Sequence, residues 1–380
     1  MKTDFDAQIQ RRGTDSVKWD RYTSKDIIPL WLADMDFQSP SAVREALHDR
    51  IEHGIFGYTG ISGALTQVVV DTLERKYGWS VAPSWLIWLP GIVTGLNIAC
   101  RAVGKDGDAV MTTTPVYPPF LTAPKLSRRK LIPVPLLLEN NRWSMDWDRL
   151  DTQITERCRL FMLCNPHNPV GRVYHHNELT RLVDFCIRHD MVICSDEIHS
   201  DLILEPDRHH IPTASLNPEA SDCTITLMAP SKTFNIPGLG CGFAVIPNSA
   251  LRTRFKKAMD GIVPHVNALG LTAALAAYRA GWDWLSELLV YLRANRNLVQ
   301  RHIAALPGLR TWPVEATYLA WIDARNIGRT SPLKFFESFG VGLSDGEDFG
   351  NSGFLRLNFG CSRSLLAQAL ERMASAIRTL

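Results

Sequence analysis

Nowhere in the 380 residues do about 18 uncharged apolar residues run together, so no membrane-spanning helix is expected. A CxxC pair is missing as well. The eight cysteines (100, 158, 164, 186, 194, 223, 241 and 361) stand singly, several inside apolar runs such as "LFMLCN" and "MVICSDE". They read as reduced core residues of a cytoplasmic protein. Charge of one sign is equally scarce: 41 Lys and Arg against 39 Asp and Glu leave a balance of +2. Such a chain offers no field suited to nucleic acid or a membrane surface, and a small-molecule partner is favoured. The opening "MKTDFDAQIQRRGTDSVKWD" holds no apolar stretch of the kind a secretory signal needs, so no export is expected. There is no internal repeat and no low-complexity tract.

The length suits one large domain plus a smaller one, and the apolar share, 46%, is ordinary for a globular protein. Through the middle of the chain, short β-rich runs alternate with helical patterns. "WLIWL" (85–89), "DAVMTTT" (108–114), "RLFMLC" (159–164), "MVICS" (191–195), "CTITLMA" (223–229) and "GFAVIP" (242–247) are the strands; helices are expected after residue 91, near 117–127 and over 176–189. This alternation predicts an α/β fold with a mostly parallel sheet covered by helices on both faces. Residues 266–305 carry long helical periodicity, followed by a strand pair near 311–323 and a helix from 363. The expected division is a large domain over 46–280 and a smaller α+β domain over 281–380, with residues 1–45 packing against the latter.

Polar features fall where the strands end. "PGIVTG" follows the strand at 89, "TPVYPPF" the one at 114, "CNPHNPVG" the one at 164, "SDEIH" the one at 195 and "PSK" the one at 229. In parallel sheets ligands sit at the carboxyl ends of strands, so these side chains should converge on one crevice. A lysine that condenses with an aldehyde and an aspartate that keeps a pyridine nitrogen protonated together describe pyridoxal phosphate. Its phosphate would rest at the helix start after Gly91, on the N–H groups of Ile92 and Val93, with hydroxyls from Thr94 and Ser231.

The order "CNPHNPVG", "SDEIH", "APSKTFN" and "RLNFG" resembles the fold-type-I pyridoxal-phosphate enzymes of the aminotransferase class I/II superfamily. More narrowly, "WLADMDF", "HGIFGYT", "PVYPPF", "CNPHNPVGRV", "SDEIHSDL" and "SKTFNIPGL" are similar to the MalY/PatB cystathionine β-lyase group of C–S lyases, over roughly residues 12–375. The resemblance implies that Lys232 is the Schiff-base lysine and Asp196 the partner of the pyridine nitrogen. It places Asn168 on the cofactor's phenolic oxygen and Tyr117 on its ring, and it puts Ala33 in a segment near the substrate. Arg356 would grip the substrate carboxylate with its two-pronged guanidinium, a task a lysine does less well. Tyr58 would reach the phosphate of a neighbouring subunit, which implies a homodimer.

Two positions depart from the wider superfamily. His199 stands where many members have a tyrosine on the phenolic oxygen, and Gly240 where many have an arginine on the phosphate. Phosphate binding then leans on backbone N–H groups, hydroxyls and Tyr58. The implied activity is β-elimination from L-cystathionine or another cysteine S-conjugate; transamination uses the same lysine, aspartate and arginine. A third reading, a cofactor-binding regulatory protein acting through protein contacts, finds no helix-turn-helix segment ahead of the large domain.

Taken singly, these residues have plainer readings: Lys232 a solvated lysine, Asp196 a cap or turn residue, Arg356 a surface ion-pair member, Tyr58 and Tyr117 half-buried aromatics. Their common register decides. "GLGCG" (238–242) precedes a strand rather than opening a helix, so it is not a dinucleotide fingerprint. His175, His176, His209 and His210 lack metal-ligand spacing and read as exposed loop histidines, and no metal is expected.

Overall fold

A computed structural model describes residues 3–380. Seven strands form the central sheet, in spatial order Leu86–Leu89, Gly242–Val245, Thr224–Met228, Val192–Asp196, Cys158–Cys164, Ala109–Thr114 and Lys130–Pro135. All are parallel except Gly242–Val245, which runs antiparallel to both its neighbours. The inner strands are buried on both faces. Their near-continuous runs of Val, Ile, Leu, Met and Thr follow from that: with helices on each side, neither face needs polar residues.

The helices sit where the turn chemistry allows. Ile92–Ala102 follows the first sheet strand directly, and His176–Arg188 is closed at its start by a capping box between His175 and Glu178. The long helical text of 266–305 is two helices, Ala268–Ala280 and Trp282–Ala304. The break falls at Gly281, where any Cβ would stand 2.5 Å from the Phe234 ring and 2.7 Å from the Ala277 carbonyl oxygen. Two further helices, Ser41–His53 and Gly63–Tyr77, precede the central sheet.

The expected strand pair near 311–323 belongs to a larger unit. Arg310–Thr311, Leu319–Asp323, Phe354–Asn358 and Ser344–Asp345 form a four-stranded antiparallel sheet. Helix Arg363–Ile377 packs against helices Trp282–Ala304 and Pro332–Ser338 and strand Val341–Gly342, burying Leu366, Leu370 and Met373. The N-terminal stretch joins this region, with Ile28–Pro29 pairing in parallel with Val341–Gly342. No helix among the described residues is long and apolar enough to cross a membrane. Seven of the eight cysteines are buried, and all are free.

Candidate active site

Three parallel neighbours in the central sheet end in step: Cys164 pairs with Asp196, and Asp196 with Leu227. The chain therefore leaves the sheet at adjacent points and carries Asn168, Asp196 and Lys232 into one cleft of about 1030 Å³. The segment around Ala33 and Arg356 of the four-stranded sheet also line this cleft. So does every other site residue anticipated from the sequence, with one exception. Tyr58 stands fully exposed on the loop between two helices and is not part of the cleft of this chain.

Lys232 lies on the helical turn Pro230–Thr233, which Pro230 opens at the end of strand Thr224–Met228. Its amine donates to the Ala33 carbonyl oxygen at 2.6 Å. Burial pulls its pKa down to about 8; Asp34 and Asp196 oppose this and Arg356 adds to it. The result is a lysine with a sizeable neutral fraction near neutrality, poised to act as a nucleophile or a base.

Asp196 is fully enclosed at its strand end, and burial raises its pKa to about 7, with Glu197 adding to the rise. One of its oxygens accepts a hydrogen bond from the Ile198 N–H at 3.1 Å. A buried carboxylate held this high lacks a cationic partner and will take an N–H cation readily. Beside it, Glu197 is held by the Ser195 hydroxyl at 2.7 Å, the Thr213 N–H at 2.9 Å and His210 at 2.7 Å. His210 is thus buried against Glu197 and is not the exposed loop residue anticipated: the loop folds back over the sheet end, and the carboxylate pairs with the imidazole Nε2, while the buried Nδ1 has no partner.

Arg356 is buried rather than at the surface, because its strand, Phe354–Asn358, is an inner strand of the four-stranded sheet. Its guanidinium donates to the Asn168 side-chain oxygen at 3.1 Å and to the Trp31 carbonyl at 2.8 Å, and it lies 4.7 Å from the Phe349 ring centroid. Burial brings its pKa down to about 10. No carboxylate forms an ion pair with it among the described residues, and its buried Nε has no partner. An oriented, uncompensated guanidinium is a receptor for a planar carboxylate.

The helix Ile92–Ala102 begins at the cleft with no side-chain cap, and the space in front of Gly91 is open. Those first-turn N–H groups and the helix dipole favour an anion there. Gly240 has φ +60°, and a Cβ there would meet the Pro90 carbonyl oxygen at 3.1 Å, so an arginine at this position would be strained. His199 is buried with an unpartnered Nδ1, and burial, Lys232 and Arg356 lower its pKa to about 3, so the ring is neutral. Tyr117, half-buried, has its pKa raised by burial. An uncapped helix start, a free amine, a lone buried carboxylate and unpartnered nitrogens on His199 and Arg356 fit the phosphate, aldehyde, ring nitrogen and polar substituents of pyridoxal phosphate. Among the described residues, no cluster of His, Cys, Asp or Glu is arranged to hold a metal.

Sequence reasoning passed over the residues that hold this site together. Asn235 donates to the Met35 and Phe37 carbonyls, and Asn358 donates to those of Leu32 and Asp34. Both asparagines stood inside quoted motifs, "SKTFN" and "RLNFG", without a role. The Ser344 hydroxyl donates to the Trp31 carbonyl at 2.6 Å and accepts from Arg356 at 3.3 Å. Lys18 is buried with its amine 2.8 Å from Asp36, and Arg11 bridges Asp34 and Asp36. The only signal for this ion-pair knot was the alternation of basic and acidic residues in the first 36 positions.

Comparison with known proteins gives a consistent picture. The aminotransferase class I and II family matches residues 25–373. The chain is similar to cystathionine β-lyase PatB of Bacillus subtilis (strain 168), at 37% identity over 98% of this chain and 99% of the relative. Among solved structures, OvoB superposes with a TM-score of 0.97 at 48% identity, covering 99% of this chain and 100% of that one. Cystalysin from Treponema denticola, which contains a pyridoxal 5'-phosphate cofactor, superposes at 0.94 with 32% identity over the full length of both.

Proposed function

Because the chain belongs to the aminotransferase class I and II family and, within it, to the MalY/PatB group of C–S lyases, we propose that it cleaves L-cystathionine or a related cysteine S-conjugate by β-elimination, giving a thiol, pyruvate and ammonia. It is a pyridoxal-phosphate enzyme. The observation that carries the reading is the free Lys232 amine in a cleft between a lone buried carboxylate and an unpaired guanidinium. When bound, pyridoxal phosphate draws electrons from the α-carbon of an attached amino acid, making its α-proton acidic.

The chain's own residues do the rest. Asp196 holds a proton on the ring nitrogen, and in doing so exchanges a costly solitary burial for an ion pair. Arg356 would clamp the substrate α-carboxylate with two N–H groups, fixing how the bonds of the α-carbon are oriented. Lys232 takes the α-proton; a pKa lowered toward the working pH suits it to this step. Asn168, which also accepts from Arg356, would bond the phenolic oxygen, His199 would offer a neutral imidazole, and Tyr117 would stack on the ring. The N–H groups of Ile92 and Val93 and the hydroxyls of Thr94 and Ser231 receive the phosphate. Ala33 supplies a carbonyl at the substrate's side of the cleft.

We also assign a homodimer. Tyr58, Phe56 and Ile55 project together from the loop before helix Gly63–Tyr77, all exposed, an arrangement suited to reaching a second copy and delivering the Tyr58 hydroxyl to its phosphate corner. Sedimentation should then give about twice the chain mass, and Tyr58→Phe should weaken cofactor retention on dialysis.

The test of the reaction is direct. Purified protein given L-cystathionine and no keto acid should release pyruvate, ammonia and homocysteine in equal amounts. Turnover that depends on an added keto acid would overturn the lyase reading in favour of an aminotransferase. Borohydride reduction followed by peptide mapping should leave the pyridoxyl mark on Lys232.

A further inference from the structure

Lys232 and a residue from the opposite sheet share a single acceptor. The Ala33 carbonyl oxygen accepts from the Lys232 amine at 2.6 Å and from the Tyr318 hydroxyl at 2.9 Å. Tyr318 is buried immediately before strand Leu319–Asp323, and its own carbonyl accepts from the Phe359 N–H at 2.9 Å, so the ring is fixed by the four-stranded sheet. Ala33 is fixed too. Asn358 holds the carbonyls on either side of it, at Leu32 and Asp34, and Asn235 holds the Met35 N–H and carbonyl. The oxygen is therefore unable to turn toward another donor.

Resting on the reading of Lys232 as the reacting amine, we propose that Tyr318 is a positioning residue for it: the hydroxyl pins the Ala33 carbonyl as a fixed seat that the amine leaves and returns to. Two consequences follow. While the amine is bonded to the cofactor, Tyr318 alone keeps the buried carbonyl hydrogen-bonded, which avoids the penalty of a bare buried acceptor. While the amine is free, the shared oxygen grips it less firmly than an unshared one. A carbonyl favours the ammonium form, so sharing it keeps more of the lysine neutral. The other groups that act electrostatically on the amine are Asp34, Asp196 and Arg356, with the neutral His199 on the facing wall; a change confined to the Tyr318 hydroxyl leaves them in place.

The experiment reads the titration of Lys232 in the full-length chain stripped of cofactor, through the pH dependence of its acetylation by acetic anhydride, followed by peptide mass spectrometry. The wild-type midpoint should fall near 8. Tyr318→Phe should move it upward by about half a unit, the scale of one neutral hydrogen bond shared between two donors. Tyr318→3-fluorotyrosine keeps the ring in its socket and makes the hydroxyl a stronger donor, so the midpoint should move downward. This second variant decides the matter even if the phenylalanine protein folds poorly. In the holoenzyme, Tyr318→Phe should lower kcat several-fold with KM unchanged. Coincident midpoints in the wild type and the fluorotyrosine protein overturn the proposal, as does a change confined to KM. If no S-conjugate yields pyruvate with any of the proteins, the lyase reading fails, while the acetylation midpoints still judge the seat.

Discussion

Two lysines lie against the same stretch of backbone, residues 33–36, on opposite terms. On one side Lys18 is fully buried with its amine 2.8 Å from the Asp36 carboxylate and 3.2 Å from the Asp34 carbonyl. Arg11 and the Trp19 indole complete the knot by donating to the same aspartate. Burial opposes ionisation of Asp36, but Lys18, Trp19 and Arg11 outweigh it and hold its pKa low. On the other side Lys232 has no carboxylate within ion-pair distance among the described residues and rests on a neutral carbonyl. Burial with a counter-charge makes an anchor, whereas burial without one makes a reagent.

The contrast can be broken most severely at the reagent. Lys232→Ala should reduce pyruvate release from L-cystathionine by about 10⁴-fold, the upper range for loss of a positioned base. Removing the anchor should do something different. Lys18→Met removes one of the two cations that pair with Asp36, leaving Arg11, and should cost about 1.5–3 kcal/mol of stability in denaturant titrations, with the Lys232 acetylation midpoint unmoved. Next comes Arg356→Lys, which keeps the charge but loses the fork; kcat/KM should drop by about 100-fold, chiefly through KM. The mildest test only changes pH. Cofactor uptake by stripped protein needs the neutral amine, so its rate, followed by absorbance, should climb about tenfold per unit and level off above the Lys232 pKa of about 8. A rate that is flat from pH 6 to 9 would mean the amine is already neutral at the start.

Much of the reagent side was legible in the sequence. A parallel sheet forces its strand ends into line, so "CNPHNP", "SDE" and "PSK" converge whatever the rest of the chain does, and Asn168, Asp196 and Lys232 do line one cleft. Arg356 entered through its motif rather than through any local signal. The anchor side was not legible. Lys18 looks like any polar N-terminal residue, and its burial depends on Asp34 and Asp36 and on Trp31, all in a later segment. Tyr318, Ser344 and Asn358 act through contacts with residues about 285 to 326 positions away, a separation at which periodicity carries no information. The split of 266–305 at Gly281 was hidden for a related reason: the glycine is required by the Phe234 ring pressing against it, not by anything within the helical text.

The segment carrying Trp31 to Phe37 is stitched to Asn235 on one side and to Ser344, Arg356 and Asn358 on the other. A ribosome makes those partners in order, Asn235 long before Ser344, Arg356 and Asn358. The earliest-made wall of the cleft thus waits for the latest-made strand before both its sides are held. A chain that stopped before Phe354 would lack both the Arg356 guanidinium and the bonds of Asn358 to Leu32 and Asp34. The site is complete only once strand Phe354–Asn358 has been made.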